Sequence, residues 1–314
     1  MRFLVAESEP PQAREKRRES VGRSSGETYV DMLHELVPAA SCDRVKPADA
    51  DSPPFHAGWI EQFDAVFLTG SPLHLYDDTP EVERQLAFMR QVFASGTPSF
   101  GSCAGLQVAT AAAGGQVRSM GERREAGFAR RITPTPAGRA HPLLRGRPAA
   151  FDAPAIHTDE VALLPPGATI LASTEVTGVQ AAEIRYDHGV FWGVQYHPEL
   201  SLGEVAAALR RQSQDLIEHG LARSDEDVER IAGLVDGLDH DPGRADLAWQ
   251  LGLDRQVTDV WQRRTELRNF VEYLVKPTMI RRGRGPFQRD AAQRDAAWPS
   301  RFGQQSATKV PGCY

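Results

Sequence analysis

The chain has 314 residues, of which 41% are hydrophobic, and 36 Lys/Arg against 42 Asp/Glu leave a net charge of −6. This is enough apolar content to bury a full core with room for an appendage, and the charge gives no reason to expect nucleic-acid binding. No 18-residue apolar stretch suits a membrane span, and the first apolar run is broken at Glu7, too short for a signal-peptide core, so a cytoplasmic protein is expected.

In chain order, residues 2–6 read as a buried strand. The polar stretch 7–26, with Pro10-Pro11, is longer than the usual strand-to-helix connection. It reads as a flexible surface loop in preference to a lid. Apolar residues at helical spacing predict a helix over 28–37, ending before Pro38. A second buried strand covers 65–68, and Pro80 and Gly96 frame a helix over 80–94. Residues 98–101 are a strand and 106–113 a helix. This alternation predicts an α/β fold, a doubly wound and mostly parallel sheet.

From 127 to 192 the pattern changes to short strands with Pro and Gly turns, at 129–133, 168–173, 181–186 and 189–195. They read as hairpin structure added to the main sheet, with His188 a turn residue. Beyond Glu199 the periodicity is helical: 202–219, then a capping box at Ser224-Asp-Glu-Asp227. Asp241-Pro242 reads as a cap leading a helix over 245–251, and 258–274 keeps its apolar residues on one face. Three segments are expected: 1–201, a helical extension over 202–275, and a basic tail over 276–314, disordered from about Arg281. The tail carries eight Lys/Arg against two Asp, which leaves −12 on residues 1–275.

Two strings carry chemistry. Pro98-Ser-Phe-Gly-Ser-Cys-Ala-Gly-Leu-Gln107 places Cys103 between two glycines, where a strand turns sharply into a helix. Glycine supplies the room and φ/ψ freedom such an elbow needs. A thiol at a helix N-terminus also meets unpaired N–H groups that favour the thiolate. Taken alone, the string also fits a buried structural cysteine. The second string, 189–199, reads as a strand ending in His-Pro-Glu. Strand alternation would put His197 and Glu199 on one face, with Pro198 stopping the ladder. An acid so placed orients the imidazole that a nucleophilic cysteine needs. The three cysteines, at 42, 103 and 313, suit a reducing compartment, and no H-x-x-H or C-x-x-C string occurs, so no metal is expected.

With these motifs the chain resembles the class I glutamine amidotransferase family, whose signatures are G-x-C-x-G-x-Q and H-P-E, and in particular the glutaminase part of GMP synthases. The resemblance covers about 1–210. It implies a flavodoxin-like fold with Cys103 as nucleophile, His197 as general base and acid, Glu199 as its orienter, and Gln107 holding substrate. The stretch 67–77 is similar to the family's oxyanion loop, with Ser71 in place of a glycine. The implied oxyanion donors are the backbone N–H groups of Ser71 and Ala104. Ala155-Ile-His-Thr-Asp159 resembles the pocket segment, which assigns His157, Thr158 and Asp159 to substrate binding, Thr158 again replacing a glycine. The implied reaction is hydrolysis of the L-glutamine side-chain amide through a Cys103 thioester, with no cofactor.

The chain contains no G-x-x-x-x-G-K-[ST] phosphate loop. An ammonia-accepting synthetase subunit is therefore the expected partner. Two alternatives stay open: hydrolysis of another γ-glutamyl amide, which Ser71 and Thr158 keep in view, and a non-catalytic regulatory module. If Cys103 is the nucleophile, a glutamine-analogue electrophile labels Cys103 and spares Cys42 and Cys313. Equal labelling of all three, read by peptide mass spectrometry, would show that Cys103 has no special reactivity.

Overall fold

The structure, a computed structural model, describes residues 1–284. The chain begins with β1 (Arg2–Ala6), whose burial on both faces suits the middle of a parallel sheet. Two helices follow, α1 (Pro11–Val21) and α2 (Ser25–Leu36), then β2 (Ser41–Val45), the short α3 (Ala57–Ile60) and β3 (Ala65–Leu68). Next come α4 (Pro80–Ser95), β4 (Ser99–Ser102), α5 (Ala104–Ala112) and β5 (Gln116–Ser119). The later strands are β6 (Glu125–Pro134), β7 (Phe151–His157), β8 (Asp159–Leu163), β9 (Ala168–Ser173), β10 (Ala181–Tyr186) and β11 (Gly189–Val194). The short α6 (Pro136–Ala140) follows β6.

Nine strands form one mixed sheet in the order β2-β1-β3-β4-β11-β10-β9-β6-β7. The first five are parallel and the last four join antiparallel, as the expected doubly wound sheet with added hairpin structure requires. Strands β5 and β8 pair separately. One face of the sheet packs on α4 and α5 through Phe88, Met89, Val92 and Leu106. The other packs on α2 through Tyr29, Met32 and Leu33.

The stretch 7–26 is not a loop. It holds α1, with Pro11 at the first turn and Gly22 in a left-handed C-cap at φ 81°. This helix has no apolar stripe. Arg14 anchors it instead, buried against both Asp49 oxygens at 2.6 and 3.1 Å and against Glu7 at 3.4 Å. Hydrophobic periodicity is blind to a helix held by a buried ion pair. The next helix starts three residues before the expected position, because Ser24 and Glu27 form a capping box. Strands β7 and β8 have no counterpart in the sequence reading; Pro154 argues against a central strand and is tolerated in β7 at the sheet edge.

The C-terminal helices are more broken than periodicity implies. The expected helix over 202–219 is α7 (Leu202–Arg211) and α8 (Ser213–Glu218). Ser224 caps α9 (Asp225–His240), but Asp227 turns its carboxylate to the Arg223 N–H, so the box is half made. Asp241 accepts from Gly243 in a turn, and α10 (Ala245–Leu251) starts after Arg244. The stretch expected as one helix over 258–274 comprises the end of α11 (Arg255–Thr258), then α12 (Val260–Arg263), α13 (Thr265–Phe270) and most of a π turn over Val271–Val275. Asp259 makes the break by capping α12.

These helices serve two cores. Those from α7 to α10 pack among themselves and on Phe128 and Ile156. Those from α13 onward return to the central sheet, where the Phe270 ring lies 5.4 Å from Phe67 and 5.5 Å from Phe100. The start of the expected tail is also ordered: α14 (Lys276–Arg281) buries Met279, and Arg282 and Arg284 donate to the carbonyls of Ser95, Phe63 and Glu61. The rest of that segment lies outside the described residues.

Arg147 and Glu266 form a fully buried bidentate pair, both bonds 2.7 Å, which ties α13 to the chain before β7. Replacing Glu266 by Ala strands the guanidinium in the core, a change that costs about 3–5 kcal/mol. The expected readout is a lower urea midpoint with an unchanged m-value. An unshifted midpoint would mean that Arg147 finds another partner.

Candidate active site

Strands β4 and β11 run parallel, with Gly101 opposite Gly193 and Ser102 opposite Val194. Both therefore end at the same edge of the sheet, where open α/β sheets place ligands. The chain leaving β4 turns at once into α5. Cys103 makes that turn at φ 53°, ψ −113°, a conformation L-residues rarely hold, and its N–H is fixed by Val194 O at 2.8 Å. The positive φ thus falls on the cysteine. Its glycines act through contact instead: a Cβ on Gly101 would meet Gly105 backbone at 2.8 Å, and one on Gly105 would meet Leu68 O at 2.8 Å.

The thiol of Cys103 donates to Ile156 O at 4.0 Å. Strand β11 ends at Val194, so His197 and Glu199 lie in the turn beyond it. The turn, not strand alternation, brings them together, with His197 Nδ1 to Glu199 Oε1 at 2.7 Å. The His197 N–H is tied to Pro154 O at 2.7 Å. Gly70 fits between the two chemical groups: a Cβ there would stand 3.0 Å from His197 Cε1 and 3.9 Å from Cys103 Cβ.

Burial disfavours charge on the His197 ring, but the negative charge of Glu199 and the charge and hydrogen bond of Cys103 outweigh it and push its pKa up to about 10. Glu199 is itself held in place. Its Oε1 also accepts from Ser102 Oγ at 2.9 Å. Because that hydroxyl proton is committed to Glu199, Ser102 accepts from Tyr29 OH at 2.5 Å. The sequence reading missed both residues: Ser102 stands inside the elbow string, and Tyr29 looks like any core residue of an amphipathic helix.

Of the other expected residues, Ser71 lines a cavity of about 550 Å³ shared with Gly70, Cys103, His197 and Glu199. Its φ is not positive, so serine fits where the resemblance has glycine, and the same holds for Thr158. Ala104 is the first residue of α5, where an N–H has no intrahelical acceptor.

Gln107, His157, Thr158 and Asp159 do not line this cavity. Gln107 donates to Asp159 O at 3.0 Å and Gln195 Oε1 at 3.2 Å. His157 donates from Nδ1 to Asp159 O, and its Nε2 lies 2.7 Å from Glu125 Oε2. The Asp159 carboxylate is taken by His74 Nδ1 at 2.7 Å and Tyr76 OH at 3.1 Å, which pins the outer part of the 71–77 loop. Gln107 and His157 thus converge on the Asp159 backbone carbonyl, while the Asp159 carboxylate faces the 71–77 loop. Other walls come from Glu9 just before α1, from α1 through Gln12, Lys16 and Arg17, from α2 through Ser25, Thr28 and Tyr29, and from α7 through Arg211, none of them singled out by sequence. A larger cavity of about 850 Å³, between β6 and the helices α7 to α9, holds neither Cys103 nor His197. Among the described residues there is no cluster of metal-ligating side chains, and no helix is long and apolar enough to cross a membrane.

Residues 27–214 match the sequence model of the family described as glutamine amidotransferase class-I. A γ-glutamyl-L-1-hydroxyisopropylamide hydrolase from a Pseudomonas species is 32% identical over 287 residues, spanning 90% of this chain and 96% of that protein. A glutamine-hydrolysing GMP synthase from Leifsonia xyli is 33% identical over 145 residues, 46% of this chain but only 27% of its own length. Among solved structures, a glutamine amidotransferase from Thermotoga maritima superposes with a TM-score of 0.57 at 17% identity, covering 87% of this chain and 98% of that one. One from Methylobacillus flagellatus gives 0.54 at 19% identity, covering 85% and 92%. At such identities these two speak for the fold.

The imidazole titration is directly measurable. By NMR, the His197 ring is expected to lose its proton near pH 10. Glu199→Gln removes the leading favourable charge while burial persists, so the titration must move to lower pH. A midpoint unchanged by Glu199→Gln would mean that Glu199 does not hold the proton.

Proposed function

Because the chain belongs to the class I glutamine amidotransferase family, we propose that it hydrolyses a γ-glutamyl amide through a Cys103–His197–Glu199 triad, releasing L-glutamate and an amine. The Cys103 thiolate attacks the amide carbonyl carbon, and the N–H groups of Ser71 and Ala104 hold the oxyanion. Donors of this kind are worth about 3–4 kcal/mol each in the transition state. His197 carries the proton to the leaving nitrogen as the C–N bond breaks, leaving a glutamyl thioester. The neutral imidazole then takes a proton from water, which cleaves the thioester and returns the thiolate. A ring whose pKa stands at about 10 is charged at neutral pH, which supports His197 as the group that carries the proton to the leaving nitrogen. Glu199 orients the ring, with Ser102 and Tyr29 behind it.

The observation that carries this reading is the turn that sets Glu199 on His197 beside an elbow cysteine in positive φ. The leaving group distinguishes two versions. Glutamine itself, with ammonia passed to a synthetase partner, is supported by the likeness to GMP synthases, which covers about a quarter of their length. A substituted γ-glutamyl amide of a small alkylamine is supported by a relative matched over almost its whole length, well beyond the 27–214 of the family model. A cavity of about 550 Å³, with Ser71 in its loop, has room for an N-substituent. We favour the substituted amide, which makes the chain a free-standing hydrolase.

The test compares the purified protein on L-glutamine and on γ-glutamyl-isopropylamide-type substrates, following amine release. A kcat/KM higher for the substituted amide, abolished in Cys103→Ala, is the expected result. A preference for glutamine would return the assignment to ammonia supply, and no release from either would sink the hydrolase reading.

A further inference from the structure

The wall of the Cys103 cavity formed by residues 9–17 and α7 carries charges that the bond-breaking chemistry does not use. Glu9 lines it, is 8% exposed, and pairs with no cation among the described residues. Its Oε2 accepts only the Ser25 N–H, at 3.2 Å. Arg211, at the end of α7, lines the same cavity and pairs with no carboxylate among the described residues. Its Nη1 donates to the neutral Ser20 Oγ at 2.9 Å. Arg17 stands beside it, bound through Nη2 to Glu204 at 2.8 Å, while its buried Nε has no partner. The acid is buried without a cation of its own, the exposed base reaches only a neutral hydroxyl, and a buried guanidinium donor beside them is unsatisfied, so the cavity offers one charge of each sign to a ligand.

We propose that Glu9 and Arg211 are the subsite for the α-amino-acid head of the substrate, Glu9 taking the α-ammonium and Arg211 the α-carboxylate. Arg17 supplies a further donor to the carboxylate. The substrate class is then a zwitterionic L-γ-glutamyl compound, not a simple aliphatic amide. The inference rests on the γ-glutamyl amide reading and gives it the residues that recognise the glutamyl half.

Two further observations fit. Glu9 is coupled to the oxyanion loop: the Ser25 residue that donates to it also donates from Oγ to Thr69 Oγ1 at 3.1 Å, and Thr69 Oγ1 donates to Gly70 O at 3.0 Å. Head binding and carbonyl placement thus share one short chain of bonds. Burial and the like charge of Arg17 lower the Arg211 pKa, and Glu9 and Glu204 oppose that shift. A bound carboxylate would relieve the same penalty.

Direct binding separates this proposal from turnover. Calorimetry would measure L-glutamate, glutarate (no ammonium) and 4-aminobutanoate (no α-carboxylate) on the wild type, Glu9→Gln, Arg211→Met and Lys16→Met. Lys16 is an exposed cation on the same cavity and serves as the charge control. Each of the first two variants is expected to weaken L-glutamate about 10- to 100-fold, the loss of one charge-assisted bond. Glu9→Gln should leave glutarate unchanged, Arg211→Met should leave 4-aminobutanoate unchanged, and Lys16→Met should change none. L-Glutamate bound equally by all four proteins, or not bound by the wild type, overturns the subsite, as does an equal loss in Lys16→Met. Arg211 is exposed, so its variant keeps the test open if Glu9→Gln fails to fold. Absence of amine release from every γ-glutamyl amide, with L-glutamate still held through Glu9 and Arg211, would sink the hydrolase reading and keep the subsite.

Discussion

The parallel pairing of β4 with β11 is the constraint on which the site depends. Parallel neighbours end at the same edge, so chain segments far apart in sequence deliver Cys103 and His197 to one place. The register of that ladder, Ser102 opposite Val194, sets how far each chain has travelled when it leaves the sheet. The Cys103 N–H bond to Val194 O extends the pairing by one residue into the elbow. A slip of one residue would put every side chain of β11 on the opposite face and take His197 away from the thiol.

Around this pairing the protein builds two shells of support. The inner one is polar: Tyr29 donates to Ser102, Ser102 to Glu199, and Glu199 holds the imidazole. It connects α2 on one face of the sheet to the turn after β11, so helix packing and imidazole orientation are coupled. The outer one is apolar and comes from the end of the described chain. Phe270 packs on Phe67 and Phe100, and so stiffens β3 and β4, the strands that carry the 67–77 loop and the elbow. The helices after Glu199 are therefore not ornaments on a finished domain. Some form a core with β6, and others complete the central one.

The segment over the cavity follows different physics. Helix α1 is charged at every position from Arg14 to Glu19, and Arg14, Glu7 and Asp49 hold it in place by buried ion pairing. An ion-paired anchor brings a polar helix to a cavity without a greasy face that would compete for the site. It also leaves the Glu9 carboxylate, which pairs with no cation among the described residues, facing the cavity. The family model begins after this helix, at residue 27. The cavity wall from Glu9 to Ser25 therefore lies outside the matched part, and the wall from α7 lies within it.

By itself the sequence determined the α/β alternation, the elbow at Cys103 and the His-Pro-Glu string, because each is a local pattern of residue types at short spacing. The strands 2–6 and 65–68 were legible because a short apolar run needs no distant partner to be recognised, and 181–186 because turn residues frame it. Only the tertiary structure decided the rest. Strand β7, with Pro154 inside it, exists because it lies at a sheet edge, and an edge is a property of the whole sheet. Helix α1 exists because Asp49, far along the chain, meets Arg14. Tyr29 and Ser102 bear on the imidazole only because α2 and β4 pack together, and Glu9 and Arg211 share a cavity only because α1 and α7 close over it. Backbone periodicity and short motifs are written into neighbouring residues, whereas buried ion pairs, relays and cavity walls arise between residues that only the fold makes neighbours.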